Sequence, residues 1–171
     1  KKKRIYSKQK LPTGSVLNQI LNTRKVGMPS IVVRKESLMN LSYPFDNRFH
    51  VIGDFDLSIR MSIYWKFDCV QQPIAYYRLH DSNQFLFNRE REIKELETWY
   101  MEALSNPKIS RCKNLKKVLD GINYIKSLQD LEHKKYLSAF KYFLKLSIGI
   151  KKLKLLIALI LPKKIIHILK R

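Results

Sequence analysis

Acidic residues and cysteines are scarce in this sequence. Fourteen Asp and Glu accompany 34 Lys and Arg in 171 residues, which gives a formal net charge of +20. Such an excess of positive charge indicates a polyanionic partner, which is nucleic acid, anionic lipid or a phosphate-bearing substrate. The two cysteines, Cys69 and Cys112, are far apart and show no metal-binding spacing, which fits a reducing compartment.

The sequence also has no long apolar run. The longest, residues 155–161, has seven residues, whereas a helix needs about 20 to cross a bilayer. Lysines close to this run would enter the hydrocarbon too, so we expect no transmembrane span. No signal peptide is visible, and the chain begins with Lys-Lys-Lys-Arg instead of Met. We therefore expect it to be a piece of a longer protein.

No acidic residue follows Glu132, and the last 39 residues hold eleven Lys or Arg. We expect residues 141–171 to lie on an anionic membrane surface, because lysines can reach the headgroups while Leu and Ile enter the headgroup boundary. A solvated helix packed on the domain is one alternative. Nucleic acid is a disfavoured partner, because the tail is rich in Leu and Ile and its only arginine is Arg171.

Helical and strand patterns alternate through His80, which predicts an α/β layer domain. Short helices are predicted over residues 15–23 and 35–41, a buried strand over residues 30–34, and strands within residues 67–79. After Ser82 all patterns are helical, over residues 83–104, 115–128, 131–146, 150–161 and 163–170. These patterns divide the chain into three regions, residues 1–83, 84–132 and 133–171. The last of them is the basic amphipathic region.

Two carboxylates, Asp54 and Asp56, lie where an apolar pair and a glycine lead into an amphipathic helix. This position is typical of a reactive carboxylate on a rigid scaffold. It is also typical of a helix start, which local spacing alone favours, since Asp54 is a good N-cap and Asp56 in the first turn is stabilised by the helix dipole. Local spacing leaves both interpretations open.

Four segments within residues 11–83 resemble, in the same order, the C-terminal half of the catalytic domain of family 2-like glycosyltransferases with the GT-A fold. The segments are Leu11-Pro12-Thr13-Gly14; Pro29-Ser30-Ile31-Val32-Val33-Arg34-Lys35; Phe45-Asp46 with Val51-Ile52-Gly53-Asp54-Phe55-Asp56-Leu57 and Ile59-Arg60; and Pro73-Ile74-Ala75 with Tyr77-Arg78, His80 and Asn83. The resemblance covers about half of the chain and leaves the helical tail outside it.

The resemblance implies transfer of a sugar, with inversion, from a nucleotide-sugar donor to a glycan or lipid-linked acceptor. It makes Asp54 the general base, and Asp56 either an acceptor contact or an organiser of the helix start. Arg78 and His80 would face the diphosphate of the donor, and His80 could also bind the divalent Mg or Mn cation that the resemblance implies. A structural role for Arg78 and a surface position for His80 stay open, and Asp46 is interpreted as a turn former.

The Asp-x-Asp metal motif of the family's nucleotide-binding half has no counterpart before Asp54, because only 53 residues precede it. We therefore expect a fragment that supplies the base and the acceptor side, and that is inactive alone. Its expected location is cytoplasmic and peripheral, on the inner face of the cell membrane. The competing hypothesis is a non-catalytic basic module that binds membrane or nucleic acid.

Overall fold

A computed structural model describes residues 10–23, 26–76 and 88–160, which contain eight α-helices. They are α1 Leu17–Thr23, α2 Lys35–Met39, α3 Gly53–Tyr64, α4 Arg89–Ser105, α5 Pro107–Ser110, α6 Leu115–Glu132, α7 Tyr136–Lys145 and α8 Ile150–Ile160. One turn of 3-10 helix, Met28–Ser30, lies between α1 and α2. No helix in these described stretches combines the length and the apolar character needed to cross a bilayer.

The predicted α/β fold, and with it the partial GT-A domain over residues 1–83, is wrong. In the described residues, β-pairing is limited to one antiparallel bridge, where Gly14 and Phe67 exchange backbone hydrogen bonds of 2.7 and 2.9 Å. In the predicted strand at residues 30–34, Ser30 ends the 3-10 turn, Ile31 and Arg34 are extended, and Val32 at the centre is 96% exposed. A strand is stabilised by a neighbouring strand and by burial of at least one face. Within the described part of the chain this segment pairs with no strand, and its less exposed residues, Ile31 and Val33, are only half-buried.

The helical predictions are confirmed wherever the structure describes them, with shifted ends. The predicted helix of residues 83–104 is observed as α4, and residues 83–87 lie outside the described part. The break expected at residues 128–131 lies instead between α6 and α7, where Lys134 adopts a left-handed conformation with φ of 58°. The predicted helix over residues 163–170 also lies outside the described residues.

The larger hydrophobic cluster combines α1, the loop before α3, and helices α3 to α6. Its buried members are Val16, Ile20, Leu21, Phe49, Ile52, Phe55, Ile59, Leu96, Trp99, Ala103, Ile109, Leu115, Val118 and Ile122. This cluster contains residues from both sides of the predicted boundary at residues 83–84. The division into residues 1–83, 84–132 and 133–171 stays a prediction.

A second hydrophobic cluster packs the end of α6 against α7 and α8. Its buried members are Leu128, Leu131, Ala139, Leu146, Leu155 and Ala158. Two hydrogen bonds join the same elements: Ser127 Oγ donates to the Ala139 carbonyl at 2.8 Å, and the Ser147 N–H donates to Asp120 Oδ1 at 3.1 Å. Helix α6 therefore contributes to both clusters.

Candidate functional site

The acidic pair lies in the first turn of α3, where the sequence placed it. Gly53 is the first helical residue, Asp54 the second and Asp56 the fourth. The N-cap position belongs to Ile52, whose side chain makes no capping hydrogen bond. The interpretation of Asp54 as the N-cap is therefore wrong, although both carboxylates do lie at the positive end of the helix dipole.

Glu95, on α4, supplies the acceptors that the start of α3 needs. Its Oε2 accepts the N–H groups of Val51 and Ile52 at 2.8 and 3.1 Å, and its Oε1 accepts the N–H of His50 at 3.1 Å. The buried carboxylate also accepts a bond of 2.9 Å from Arg91 Nε. One side chain thus satisfies three backbone donors at the start of a helix, where no intrahelical acceptor is available to them.

The Asp54 carboxyl is half-buried beside the 3-10 turn. Its Oδ1 accepts the N–H of Phe55 at 2.8 Å. Burial raises the pKa of Asp54, and the backbone N–H groups of Phe55 and Met28 lower it by a smaller amount. A carboxylate with a raised pKa holds a proton more readily than an ordinary aspartate, which is the property that a general base needs.

Asp56 has a partner at each carboxylate oxygen. Arg60 Nε donates to Oδ2 at 2.8 Å and Trp99 Nε1 donates to Oδ1 at 3.2 Å. Burial raises the pKa of Asp56, while the charge and hydrogen bond of Arg60 lower it. Because both oxygens already have partners within the fold, this geometry favours the structural role for Asp56 over acceptor contact.

The same network fixes α3 to its surroundings. The Arg60 guanidinium donates to the carbonyls of Tyr43 and Pro44 at 2.7 and 3.0 Å, and its Cζ lies 4.5 Å from the centre of the Tyr43 ring. From α4, Trp99 packs against the same helix, and its ring lies 4.7 Å from the ring of Phe55. The backbone that carries Asp54 is therefore held from two directions.

Asp54 lines neither of two surface concavities. One lies at the far end of α3 and is lined by residues that include Tyr43, Arg60 and Tyr64. Asp54 and Tyr64 are ten residues apart on α3, which separates their Cα atoms by about 15 Å. The other concavity is at the start of α7. Asp54 itself is half-buried and lies away from both of these concavities.

Arg78 and His80 lie outside the described residues, so their predicted positions facing a diphosphate or a cation stay predictions. Among the residues that are described, no three His, Cys, Asp or Glu side chains come together as ligands for a metal ion. These residues therefore do not by themselves fit the Mg or Mn cation that the resemblance implies.

The sequence interpretation missed Glu95. The sequence feature that could have identified Glu95 is its position on α4. It lies next to Leu96 and four residues before Trp99, where the helical pattern would favour an apolar residue. Asp46, by contrast, behaves as predicted: its Oδ1 accepts the Arg48 N–H at 2.9 Å, which closes a turn. The Arg48 side chain also lowers the pKa of Asp46.

Comparisons of this chain with protein-family models, with curated proteins and with solved structures find no match. The resemblance to glycosyltransferases consequently depends on the four segments of residues 11–83 alone.

Proposed function

We propose that the chain is the acceptor-side part of a glycosyltransferase that uses a nucleotide-sugar donor. The observation that carries the proposal is Asp54, a half-buried carboxylate whose pKa is raised by burial and which lies at the start of a firmly held helix. The positive end of the α3 dipole favours its charged form, and burial opposes this. A raised pKa in that setting is more characteristic of a proton acceptor than of a simple capping residue.

In the proposed reaction, an acceptor hydroxyl oxygen attacks the anomeric carbon of the donor sugar from the side opposite to the leaving group. The new bond joins this oxygen to the anomeric carbon, and the bond between that carbon and the diphosphate oxygen breaks, which inverts the configuration. The hydroxyl proton moves to Asp54, and the bonding electron pair leaves with the nucleoside diphosphate. Proton removal during the attack is required because a neutral hydroxyl is a weak nucleophile.

The hydrogen bonds around α3 give three carboxylates different roles, and this supports the assignment of Asp54 as the general base. Glu95 satisfies the backbone before α3, and Asp56 ties the helix to Arg60 and Trp99. Asp54 is left with backbone contacts, the N–H of Phe55 at 2.8 Å and the N–H of Met28 in the 3-10 turn beside it. A catalytic carboxylate on rigid neighbours is the arrangement that keeps a base in a productive position.

The test compares Asp54→Asn with Asp68→Asn in cells that make the protein from its complete gene. Asp68 is an exposed matched control, because its Oδ1 accepts the N–H of the next residue, Cys69, at the same 2.8 Å. Incorporation of labelled sugar into lipid-linked or polymeric product should fall by about 100-fold or more in Asp54→Asn, since a general base contributes 10²–10⁴-fold. Asp68→Asn should keep wild-type incorporation.

If a folded Asp54→Asn variant incorporated labelled sugar at the wild-type level, Asp54 would not be the general base. That result would instead favour the non-catalytic basic module, which predicts no effect of Asp54→Asn and a strong loss from removal of residues 141–171. Turnover of a nucleotide sugar by the 171 residues alone would contradict the expectation that they lack the donor-binding part.

A further inference from the structure

Helices α7 and α8 each expose a continuous stripe of apolar side chains. On α7 the stripe consists of Leu137, Phe140 and Leu144, and on α8 of Ile150, Leu153 and Ile157. Both sets recur at intervals of three and four residues, which places each set on one helix face. The buried residues Ala139, Leu155 and Ala158 come from other positions on these helices. The exposed stripes therefore consist of different residues from those that α7 and α8 bury in the second cluster.

Lysines border both stripes. Lys141 lies four residues after Leu137 on α7, and Lys154 lies four residues after Ile150 on α8, so each is a surface neighbour of its stripe. Three lysines, Lys134, Lys135 and Lys141, share the concavity at the start of α7 with Tyr136 and Leu137. Apolar and cationic side chains thus lie side by side on the exposed face of each of the two helices.

The charge of this region limits what can cover it. Residues 133–160 contain seven lysines, no arginine and no acidic residue. A second copy of the chain docked through the same face would bring lysines against lysines, which is repulsive. Nucleic acid would neutralise the lysines but would leave the apolar stripes in water, and phosphate recognition favours the arginine fork that is missing here. An anionic bilayer offers phosphate groups and hydrocarbon at adjacent depths.

We infer that α7 and α8 bind the surface of an anionic lipid bilayer, with their apolar stripes in the headgroup–acyl boundary and their lysines among the headgroups. Shallow burial of this kind needs no helix that crosses the membrane, and it combines apolar burial with attraction to anionic lipid. Each lysine near such a surface adds to this attraction. The inference stands apart from the proposed sugar transfer, since it concerns neither donor nor acceptor.

The test measures co-sedimentation of the full 171-residue chain with vesicles of phosphatidylcholine, alone or mixed with phosphatidylserine. Binding should require phosphatidylserine and should weaken as salt is added. Lys141→Gln combined with Lys154→Gln should lower the partition coefficient roughly 30-fold, the equivalent of about 1 kcal/mol for each lysine. Lys116→Gln with Lys117→Gln, which changes two exposed lysines of α6, is the charge-matched control and should have a much smaller effect.

A second pair of variants tests the apolar stripes. Leu137→Gln with Leu153→Gln removes one exposed leucine from each stripe and should reduce binding at least tenfold. Met101→Gln with Leu104→Gln, at two exposed apolar positions of α4, is the matched control and should bind like the wild type. All four residues are exposed, so circular dichroism should show unchanged helicity.

Three outcomes would overturn the inference. The first is equal binding to vesicles with and without phosphatidylserine. The second is equal loss in the α7–α8 variants and in their controls. The third is a preference for duplex DNA or RNA that displaces the chain from the vesicles. None of these outcomes bears on sugar transfer by the complete gene product, so failure here and failure of Asp54 as the base are distinguishable.

Discussion

Replacement of Glu95 by alanine tests the idea that α4 holds the start of α3. The substitution removes the acceptor for the N–H groups of His50, Val51 and Ile52, and it leaves Arg91 without its partner. His50 is exposed, so its N–H can bind water, whereas Ile52 is buried. The loss should therefore come mainly from the two inner N–H groups and from the helix end itself.

These contacts determine how much Glu95→Ala should lower the free energy of unfolding. A buried donor left without an acceptor costs about 1–3 kcal/mol, and loss of helix capping costs about 1 kcal/mol. Since Val51 is only half-buried, we expect Glu95→Ala to lower the free energy of unfolding by about 2–4 kcal/mol. Glu95→Gln can keep the bonds from Val51 and Ile52 with its amide oxygen, so its expected cost is about 1–2 kcal/mol.

The assay is urea unfolding followed by circular dichroism and by the fluorescence of Trp99, which is buried against Phe55. Glu90→Ala on the same helix is the control. Glu90 pairs with Lys94 at 3.0 Å in an exposed pair, so its loss should cost less than about 0.5 kcal/mol. The reasoning would be refuted if Glu95→Ala and Glu90→Ala were equally stable, or if Glu95→Gln were as damaging as Glu95→Ala.

Three further predictions concern stability in the same urea assay. Burial raises the pKa of Asp54 above 3.8 in the folded chain, so its contribution to stability is complete below pH 3.8 and is lost as the pH rises through the folded pKa. Asp54→Asn should therefore gain stability relative to the wild type as the pH rises, and a constant difference from pH 3 to pH 8 would contradict this. Arg60→Lys should cost about 1–2 kcal/mol, because an ammonium cannot reproduce the guanidinium contacts with Asp56 and two carbonyls; an unchanged urea midpoint would argue against that network. Gly14→Ala should cost about 1–2 kcal/mol because φ is 80°, whereas Gly53→Ala, with open space around the added methyl group, should gain about 0.5 kcal/mol; effects of the same sign would contradict the conformational argument.

The helices were predictable because their patterns are local. The spacing of Phe55, Ile59 and their neighbours fixes the buried face of α3 within the helix itself, and the acidic pair marks its first turn. Whether residues 30–34 form a strand could not be predicted from a local pattern in the same way. Whether an extended β-branched segment becomes a strand depends on a neighbour far away in sequence, and Val32 has none in the described part of the fold.

The candidate site was predictable only in part, because some of its contacts join residues that are far apart in the sequence. The position of Asp54 near the start of a helix follows from local sequence. The role of Glu95 depends on contacts with residues 43 to 45 positions earlier in the chain, and no periodic pattern contains such a distance. The break after α6 was misplaced because Lys134 adopts the left-handed conformation that normally requires Gly or Asn.

Helix α6 passes through both hydrophobic clusters without interruption, from Val118 and Ile122 in one to Leu128 and Leu131 in the other. Val118 and Leu131 are 13 positions apart, so a continuous helix separates them by about 20 Å. The helix runs unbroken through Gly121, so we expect a displacement of α8 to reach α1 and α4, which pack against the same helix. Two dyes placed at opposite ends of α6 should keep one separation until the chain unfolds.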